Sequence, residues 1–395
     1  MLAFRYRAAH ADGSIESGTI RASTRDEAAA AIKAQGAWVL DVQSGMPGIA
    51  NRRGPSLADL GLGLRLFASL LESGIPLPRA LGALEEMAPE TWAPALPTLR
   101  AAVQRGDSLT TALASAPLGL PPVVIGIMRA GEAGSGLAQA VRRSATLMES
   151  RAATRAAVRA ALAYPAILAT ASLASMGLLV GVVLPRFAAI VRDLGQALPP
   201  TTQALLSLAQ LARELALPGI VGLAIALIAW HRWVSTTSGR LAWHSALLSA
   251  PAVGGIRRAG AAAGFASALS ALLESGVPIG AALRSAAEAA GDAAMAERIT
   301  KARERIVQGS SIAASLAAED AGTPTMLRLV HAGEESGRLA ELLSHAAVLE
   351  HERADRALKS FVRLLEPALI LAFGGLVAFV AAALLQAVYS VRPGA

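Results

Sequence analysis

The chain contains no cysteine, 4% aromatic residues and only 16% charged residues over its 395 positions. The missing cysteine excludes disulfides, thiolate zinc sites and cysteine nucleophiles together, and leaves the redox compartment open. With so few rings and no basic stripe running between them, the net charge of +7 does not make a nucleic-acid surface; the arginines speak instead to membrane topology. No Gly-x-x-x-x-Gly-Lys-Ser/Thr occurs, so there is no P-loop. Gly131 to Gly136 lack the strand-then-helix setting of a dinucleotide fingerprint. The six histidines are scattered, with no His-Glu-x-x-His or other ligand spacing. What is abundant is apolar. At 54% hydrophobic residues and a mean hydropathy of +0.48, the chain is too apolar for an ordinary soluble protein of this length, and part of it is expected in lipid.

The sequence is a duplication. Leu70-Leu71-Glu72-Ser73-Gly74-Ile75-Pro76 returns as Leu272-Leu273-Glu274-Ser275-Gly276-Val277-Pro278, a shift of 202 residues. Arg129-Ala130-Gly131-Glu132 returns as His331-Ala332-Gly333-Glu334 at the same shift, and Tyr164-Pro165-Ala166 as Glu366-Pro367-Ala368. Three anchors in one register exclude coincidence.

Taken in order, residues 1–43 read as a small β-α-β-like unit. Ala3 to Ala8 and Ser17 to Ala22 are strands around a turn at Asp12-Gly13. Thr24 with Glu27 opens a helix that Gly36 closes, and Trp38 to Val42 is a third strand. Charges without an apolar run behind them mark no secretory signal, so the expected start is cytoplasmic. Residues 44–56 form a linker. Residues 57–160 and 235–363 are two helical modules in which Gly74-Ile75-Pro76 and Gly276-Val277-Pro278 make tight helix-to-helix turns. Helices are predicted over 78–87, 96–104 and 109–115 and from Pro122 to Arg129, with a turn from Ala130 to Gly136.

No charge occurs from Ala160 to Pro185, more than the ~20 residues that span a bilayer, which predicts a first transmembrane helix at 163–185. A second at 217–234 carries His231 and Arg232 near its end, with Trp230 and Trp233 for an interface, and a third occupies 367–391. Arginine and lysine are dense before the first and third and after the second. They are sparse in 186–214, so that loop and the tail 392–395 are expected outside and both modules inside. Two same-facing repeats, each followed by an outward span, require an unpaired return span between them. The spans hold no acid, lysine or arginine in their cores, which argues against a pump or channel. A small transporter, the alternative of another class, would need a polar cavity at membrane depth, where the spans offer only residues such as Ser172, Ser175 and Gln386. Gly177 with Gly181 and Gly374 with Ala378 are candidate helix contacts, within the chain or between copies.

The repeated turns carry Glu72, Glu132, Glu274 and Glu334, which a membrane-bound enzyme could use as acid and base. Nothing in the sequence brings two of them to a nucleophile or metal. A glutamate beside a helix end instead serves to accept N–H bonds at the start of the following helix.

These residues resemble the type II secretion system F family, which includes the platform proteins of type IV pili. The resemblance covers Phe4-x-Tyr6, Asp12-Gly13, Gly18 and Val39-x-Asp41-Val42 at the start. It covers the twofold Leu-Leu-Glu-Ser-Gly-Ile/Val-Pro, Ala-Gly-Glu and Ser-Gly series, the last ending at Gly136 and Gly337, and also Gly195 to Pro199 and Pro251 to Gly254. One departure is the extra residue in Gly131-Glu132-Ala133-Gly134-Ser135-Gly136. The resemblance implies a mainly α, polytopic inner-membrane protein with two cytoplasmic helical-bundle domains, three transmembrane helices and a small α+β N-terminal unit. It implies a non-enzymatic platform that couples a cytoplasmic secretion ATPase to pseudopilus assembly, with other inner-membrane assembly proteins, pseudopilins and further copies of itself as partners. The same role in a type IV pilus is the alternative. In some first domains of the family calcium sits on acidic residues of the helix after the turn, where Glu149 stands here; a lone carboxylate is short of the roughly six to eight oxygens calcium takes. No other cofactor is implied.

Overall fold

The computed structural model describes residues 2–9, 15–22, 24–34, 36, 38–44, 54–134, 136–193, 200–251 and 253–389. It divides into Met1–Ser56 and Leu57–Ala395. In the first unit β1 (Leu2–Ala9) pairs antiparallel with β2 (Ile15–Ala22) and with β3 (Trp38–Ser44), which follows α1 (Arg25–Ala34). The Glu27 N–H donates to Thr24 Oγ1 at 3.2 Å, which starts α1, and Ala8, Ala22, Ala28 and Ile32 close a small core beneath it. The Asp12-Gly13 turn, the Phe4 and Tyr6 side chains, residues 45–53 of the linker, Gly195 to Pro199, Ser135 and the tail 392–395 lie outside what is described.

The second unit is helical throughout. Its first module runs α2 (Leu57–Glu72), α3 (Leu77–Met87), a 3-10 turn at Glu90–Trp92, α4 (Leu96–Gln104), α5 (Leu109–Ser115) and α6 (Pro122–Ala133) into α7 (Leu137–Leu178). A π turn at Leu179–Val183 leads to α8 (Leu184–Asp193), then α9 (Pro200–Glu214), α10 (Ala216–Ser235) and α11 (Thr237–Ser249). The second module repeats the first as α12 (Val253–Glu274), α13 (Ile279–Ala289), α14 (Ala293–Val307), α15 (Ile312–Ala318), α16 (Pro324–Ser336) and α17 (Leu339–Tyr389). Leu60, Leu64, Phe67 and Ala68 are buried at helical spacing on α2, and Ala262, Phe265, Ala266 and Leu269 on α12. The two modules share one continuous apolar core, in which α6 and α7 pack against α12 and α13.

Four expectations are sharpened or corrected. The modules pass into their apolar stretches without interruption: α7 runs unbroken through Pro165 for 42 residues and α17 through Pro367 for 51. A proline costs a helix one hydrogen bond and bends it, without ending it where both flanks are held. The stretch 186–214 is not a loop: α8 and α9 occupy most of it, with Leu205 and Leu206 packed on Val380 and Ala383, and the Thr202 hydroxyl donating to the Ala383 carbonyl at 2.9 Å. Its charges hid an amphipathic helix whose apolar face needs only one neighbour. The turn at 130–136 begins four residues late, since α6 continues to Ala133. Finally, among the described residues two helices are long and apolar enough to cross a membrane, over Leu137–Ile190 and Leu339–Gln386, and the expected second span falls on α10, whose apolar part is the shorter Val221–Ser235.

α7 and α17 lie side by side and run parallel. Thr154 meets His351, and ten residues on the Tyr164 hydroxyl donates to Glu366 at 3.3 Å, so advancing along one helix advances along the other. Tyr164 and Glu366 are equivalent positions of the two repeats, so the copies meet at the same level. A Cβ added at Gly177, Gly181 or Gly374 would meet nothing within 4 Å among the described residues, so a methyl group fits at each.

The crossing of α6 over α7 depends on Gly131: a Cβ there would stand 2.3 Å from the Ala140 Cβ, and one at Gly333 would stand 2.9 Å from the Leu339 Cα. Gly131→Ala should therefore cost about 1–3 kcal/mol through overpacking, seen as a lower thermal midpoint. Gly134→Ala, whose nearest neighbour would be 3.5 Å away, should change little. Equal effects would contradict the close-approach account. A second expectation concerns Glu350, fully buried on α17, with the Thr323 hydroxyl donating to its Oε1 and no partner at Oε2. Its repeat equivalent is Met148, so Glu350→Met should raise the midpoint by removing an orphaned acceptor, worth about 1–3 kcal/mol. A drop would mean that the buried carboxyl is stabilising.

Candidate functional site

Each repeated turn is a helix joint, and the geometry recurs between copies. Gly74 and Gly276 both take φ +81°. In the first copy the Gly74 N–H donates to the Leu71 carbonyl at 3.1 Å and the Ile75 N–H to that of Leu70 at 3.3 Å. In the second, Gly276 donates to Leu273 at 2.9 Å and Val277 to Leu272 at 3.0 Å. This pair of crossed bonds is the Schellman closure, which needs a left-handed residue and so selects glycine. Pro76 and Pro278 follow as N-caps with φ −56° and ψ 140° in both, turning the chain into α3 and α13.

Glu132 and Glu334 are caps of an unusual origin. Glu132, on α6, accepts from the N–H groups of Leu109 at 2.6 Å and Thr110 at 3.1 Å and from the Thr110 hydroxyl at 2.8 Å, all at the start of α5. Glu334, on α16, accepts from Ile312 N–H at 2.8 Å, Ala313 N–H at 3.2 Å and the Ser311 hydroxyl at 2.8 Å at the start of α15. Negative charge at a helix start is also favoured by the helix dipole. The expected capping role corresponds to what is seen, but the helix capped precedes the glutamate instead of following it. Burial raises the Glu334 pKa, yet the Ile312 N–H, the Ser311 hydroxyl and the Ala313 N–H together hold it below the ordinary carboxylate value. The extra residue after Gly131 changes the exit. Gly337 ends α16 at φ +70°, whereas Gly134 and Gly136 sit at φ −116° and −114°.

Glu72 and Glu274 diverge. Glu72 binds Arg142 through both oxygens, a hydrogen-bonded pair that holds its pKa low. At a shift of 202, Arg142 corresponds to Ser344, so Glu274 has no arginine of its own module. It turns to Arg143 of α7, with Nε to Oε2 at 3.2 Å, while Arg143 Nη1 donates to Ser275 Oγ at 3.1 Å. Eight residues on, Arg151 donates to the Ala289 carbonyl at 3.1 Å, capping the end of α13, and its desolvation there lowers its pKa. Two arginines of one module thus grip two helix ends of the other, and Leu272 reaches Gly126 beside them. Sequence reading missed both arginines. The one available signal was that Arg142-Arg143 becomes Ser344-His345 in the second copy.

Also unforeseen is a junction at the start of α14. Asp292, 4% exposed, caps Ala294 and Met295 and takes both Nε and Nη2 of Arg257, while His244 Nδ1 accepts the Ala293 N–H at 2.8 Å. It ties α11 and α12 to α14.

No catalytic grouping emerges from the repeated turns, since each of their four carboxylates is committed to a separate partner. Glu149 pairs with Arg65 against Gly61 on α2. Among the described residues no group of three or more His, Asp or Glu could hold a metal. A single carboxylate already neutralised by a guanidinium does not suit calcium, and the Glu149 position does not fit that ion.

The model of the family described as type II secretion system (T2SS), protein F matches residues 64–185 and again 265–386, one match for each module and its long helix. The chain belongs to the type II secretion system protein F family. The N-terminal domain model of protein F matches residues 1–43, the unit built on β1 to β3. The chain is 31% identical over 408 residues to Type II secretion system protein F of Pseudomonas aeruginosa, covering 99% of each. It is 30% identical over 401 residues to Type IV pilus assembly protein PilC of Thermus thermophilus, covering 99% of this chain and 98% of that one. A protein F of Vibrio cholerae is 29% identical over 399 residues. Family membership and the two long apolar helices make this protein F homologue a membrane protein, mainly α as expected.

Removing either cap charge should destabilise the protein F fold locally without abolishing it. Glu132→Gln and Glu334→Gln should each cost about 1 kcal/mol, read as increased amide exchange in α5 or α15 respectively. Because the folded pKa of Glu334 is depressed, its contribution is complete above the unfolded value of about 4.3 and is lost as pH falls through the folded value. The gap between wild type and Glu334→Gln should hold from neutrality to about pH 5 and close below it. A gap that widens with acid would reverse the sign and refute the cap.

Proposed function

We propose that the chain is the inner-membrane platform of a type II secretion system, coupling a separate cytoplasmic ATPase to assembly of a pseudopilus and so to protein export. The observation that carries this is the end-to-end match to a protein F, over 99% of both chains. The chain is read as non-enzymatic, because it has no P-loop and every repeated glutamate already serves a helix end or an arginine. Its contribution is surface. The partners are the secretion ATPase, other inner-membrane assembly proteins, pseudopilins and further copies of the chain.

In this reading the N-terminal unit and both modules are cytoplasmic, and α7 and α17 cross outward. Their parallel course, with Tyr164 against Glu366, supports two modules on one side. α10 returns the chain, its 20 residues reaching about 30 Å. Trp230 packs on Trp233 and on Trp243, at centroid distances of 5.4 and 4.5 Å, as a belt at the cytoplasmic face. α8 and α9 lie outside, with the tail.

The pilus reading has its own support in the 30% identity to a PilC over nearly the whole length of both. Deleting the gene separates the two. Secretion requires exoproteins to be trapped in the periplasm of the deletion strain; loss of pili with normal secretion would refute it. Photo-crosslinkers on the exposed faces of α3, α4 and α14 should capture the ATPase or its membrane anchor, and silence from all of them would sink the coupling role.

A further inference from the structure

Three arginines stand where the two long helices turn apolar. On α7, Arg155 and Arg159 stand four residues apart on one side of the helix, and Arg159 is the last charge before the uncharged run to Pro185. On α17, Arg363 is the last cation before the second apolar run. The Tyr164 to Glu366 bond levels the helices, so Arg159 lies about 7.5 Å and Arg363 about 4.5 Å before that level at 1.5 Å per residue. Arg159 and Arg363 occupy one layer, and Arg155 stands one turn before it on the same side of α7, about 13.5 Å from the level of the bond.

The cations nearby are mostly spent. Arg356 takes Glu352 at 3.2 Å, Lys359 takes Asp355 at 2.6 Å, and Arg353 stands 4.0 Å from Glu350. Arg155, Arg159 and Arg363 are exposed and have no carboxylate partner among the described residues. The one acid in the layer, Glu366, accepts from the Tyr164 hydroxyl. Just beyond lie apolar side chains open to the surroundings: Ile167 is 68% exposed, Leu364 73% and Leu371 75%. An occupant of this place has to present an anion directly beside hydrocarbon, which an acidic peptide or a free anion does not do.

We infer that the rim of the α7–α17 pair, at Arg155, Arg159 and Arg363, binds the phosphate headgroup of an anionic phospholipid whose chains lie along the apolar helices. Guanidinium suits the task, since it is always charged and its planar fork matches two phosphate oxygens. The inference rests on the reading of α7 and α17 as bilayer-spanning. It adds that the headgroup is selected by charge and not merely tolerated.

The test uses the full chain, inserted in nanodiscs of equal phosphatidylcholine and phosphatidylglycerol, then released in mild detergent and weighed with its retained lipids by native mass spectrometry. Wild type should keep phosphatidylglycerol over phosphatidylcholine. The Arg155→Gln/Arg159→Gln/Arg363→Gln variant should lose that preference, by about fivefold per arginine near the surface. Arg100→Gln/Arg105→Gln, which removes two ion-paired cations from α4 and its end, should keep it. Should the triple variant not fold, Arg159→Gln and Arg363→Gln singly should each give the single-arginine loss. Normal insertion without preference, equal loss in the α4 variant, or displacement by inorganic phosphate overturns the site alone. Failure of wild type to insert overturns the spanning reading beneath it.

Discussion

A helix leaves unpaired N–H groups at its start and carbonyls at its end, and a module of short helices multiplies such ends faster than it adds core. This fold rests on meeting that demand, locally at some ends and from another helix at others. Glu132 and Glu334 serve the first turns of α5 and α15 from another helix, the crossed bonds at Gly74 and Gly276 close α2 and α12, and Arg151 covers the last turn of α13. Each satisfies a backbone group and also fixes the position of one helix against another. Loss of one would loosen both.

The duplication kept the joints and let the faces change. Both copies retain the glycine at +81°, the proline cap and the glutamate cap. The long helices differ where they face outward or each other, as where Arg142 becomes Ser344 and Glu149 becomes His351. A joint tolerates few residues because backbone geometry selects them, whereas a face only needs some partner. Glu274 illustrates this, having lost the arginine of its own module and gained one from the other. The asymmetry holds the copies together as a pair instead of two independent domains.

The joints were legible in the sequence because glycine, proline and glutamate act there through local backbone chemistry, and local chemistry repeats. The strands and α1 of the first unit were legible for the same reason, through alternation and a capping pair. The arginine grip was not, since Arg143 and Arg151 meet partners more than 130 residues away, and nothing in their neighbourhood marks them. α8 and α9 were missed because hydropathy registers their charges but not the single apolar face they lay on α17. The continuity of α7 and α17 through Pro165 and Pro367 is a matter of context: a proline removes one hydrogen bond, and the helix on either side decides whether a break occurs.

That continuity makes α17 a strut. At 51 residues it is about 76 Å long, with its first half rooted in the second module and its last half outside it. A rigid rod of that length converts rotation into travel: a tilt of roughly 5° about one end moves the other by about 7 Å. α7 runs beside it, bound near mid-length through Tyr164 and Glu366, so the two must lean together. Small rearrangements among the short helices are in this way delivered at the far end as displacements larger than a turn of helix.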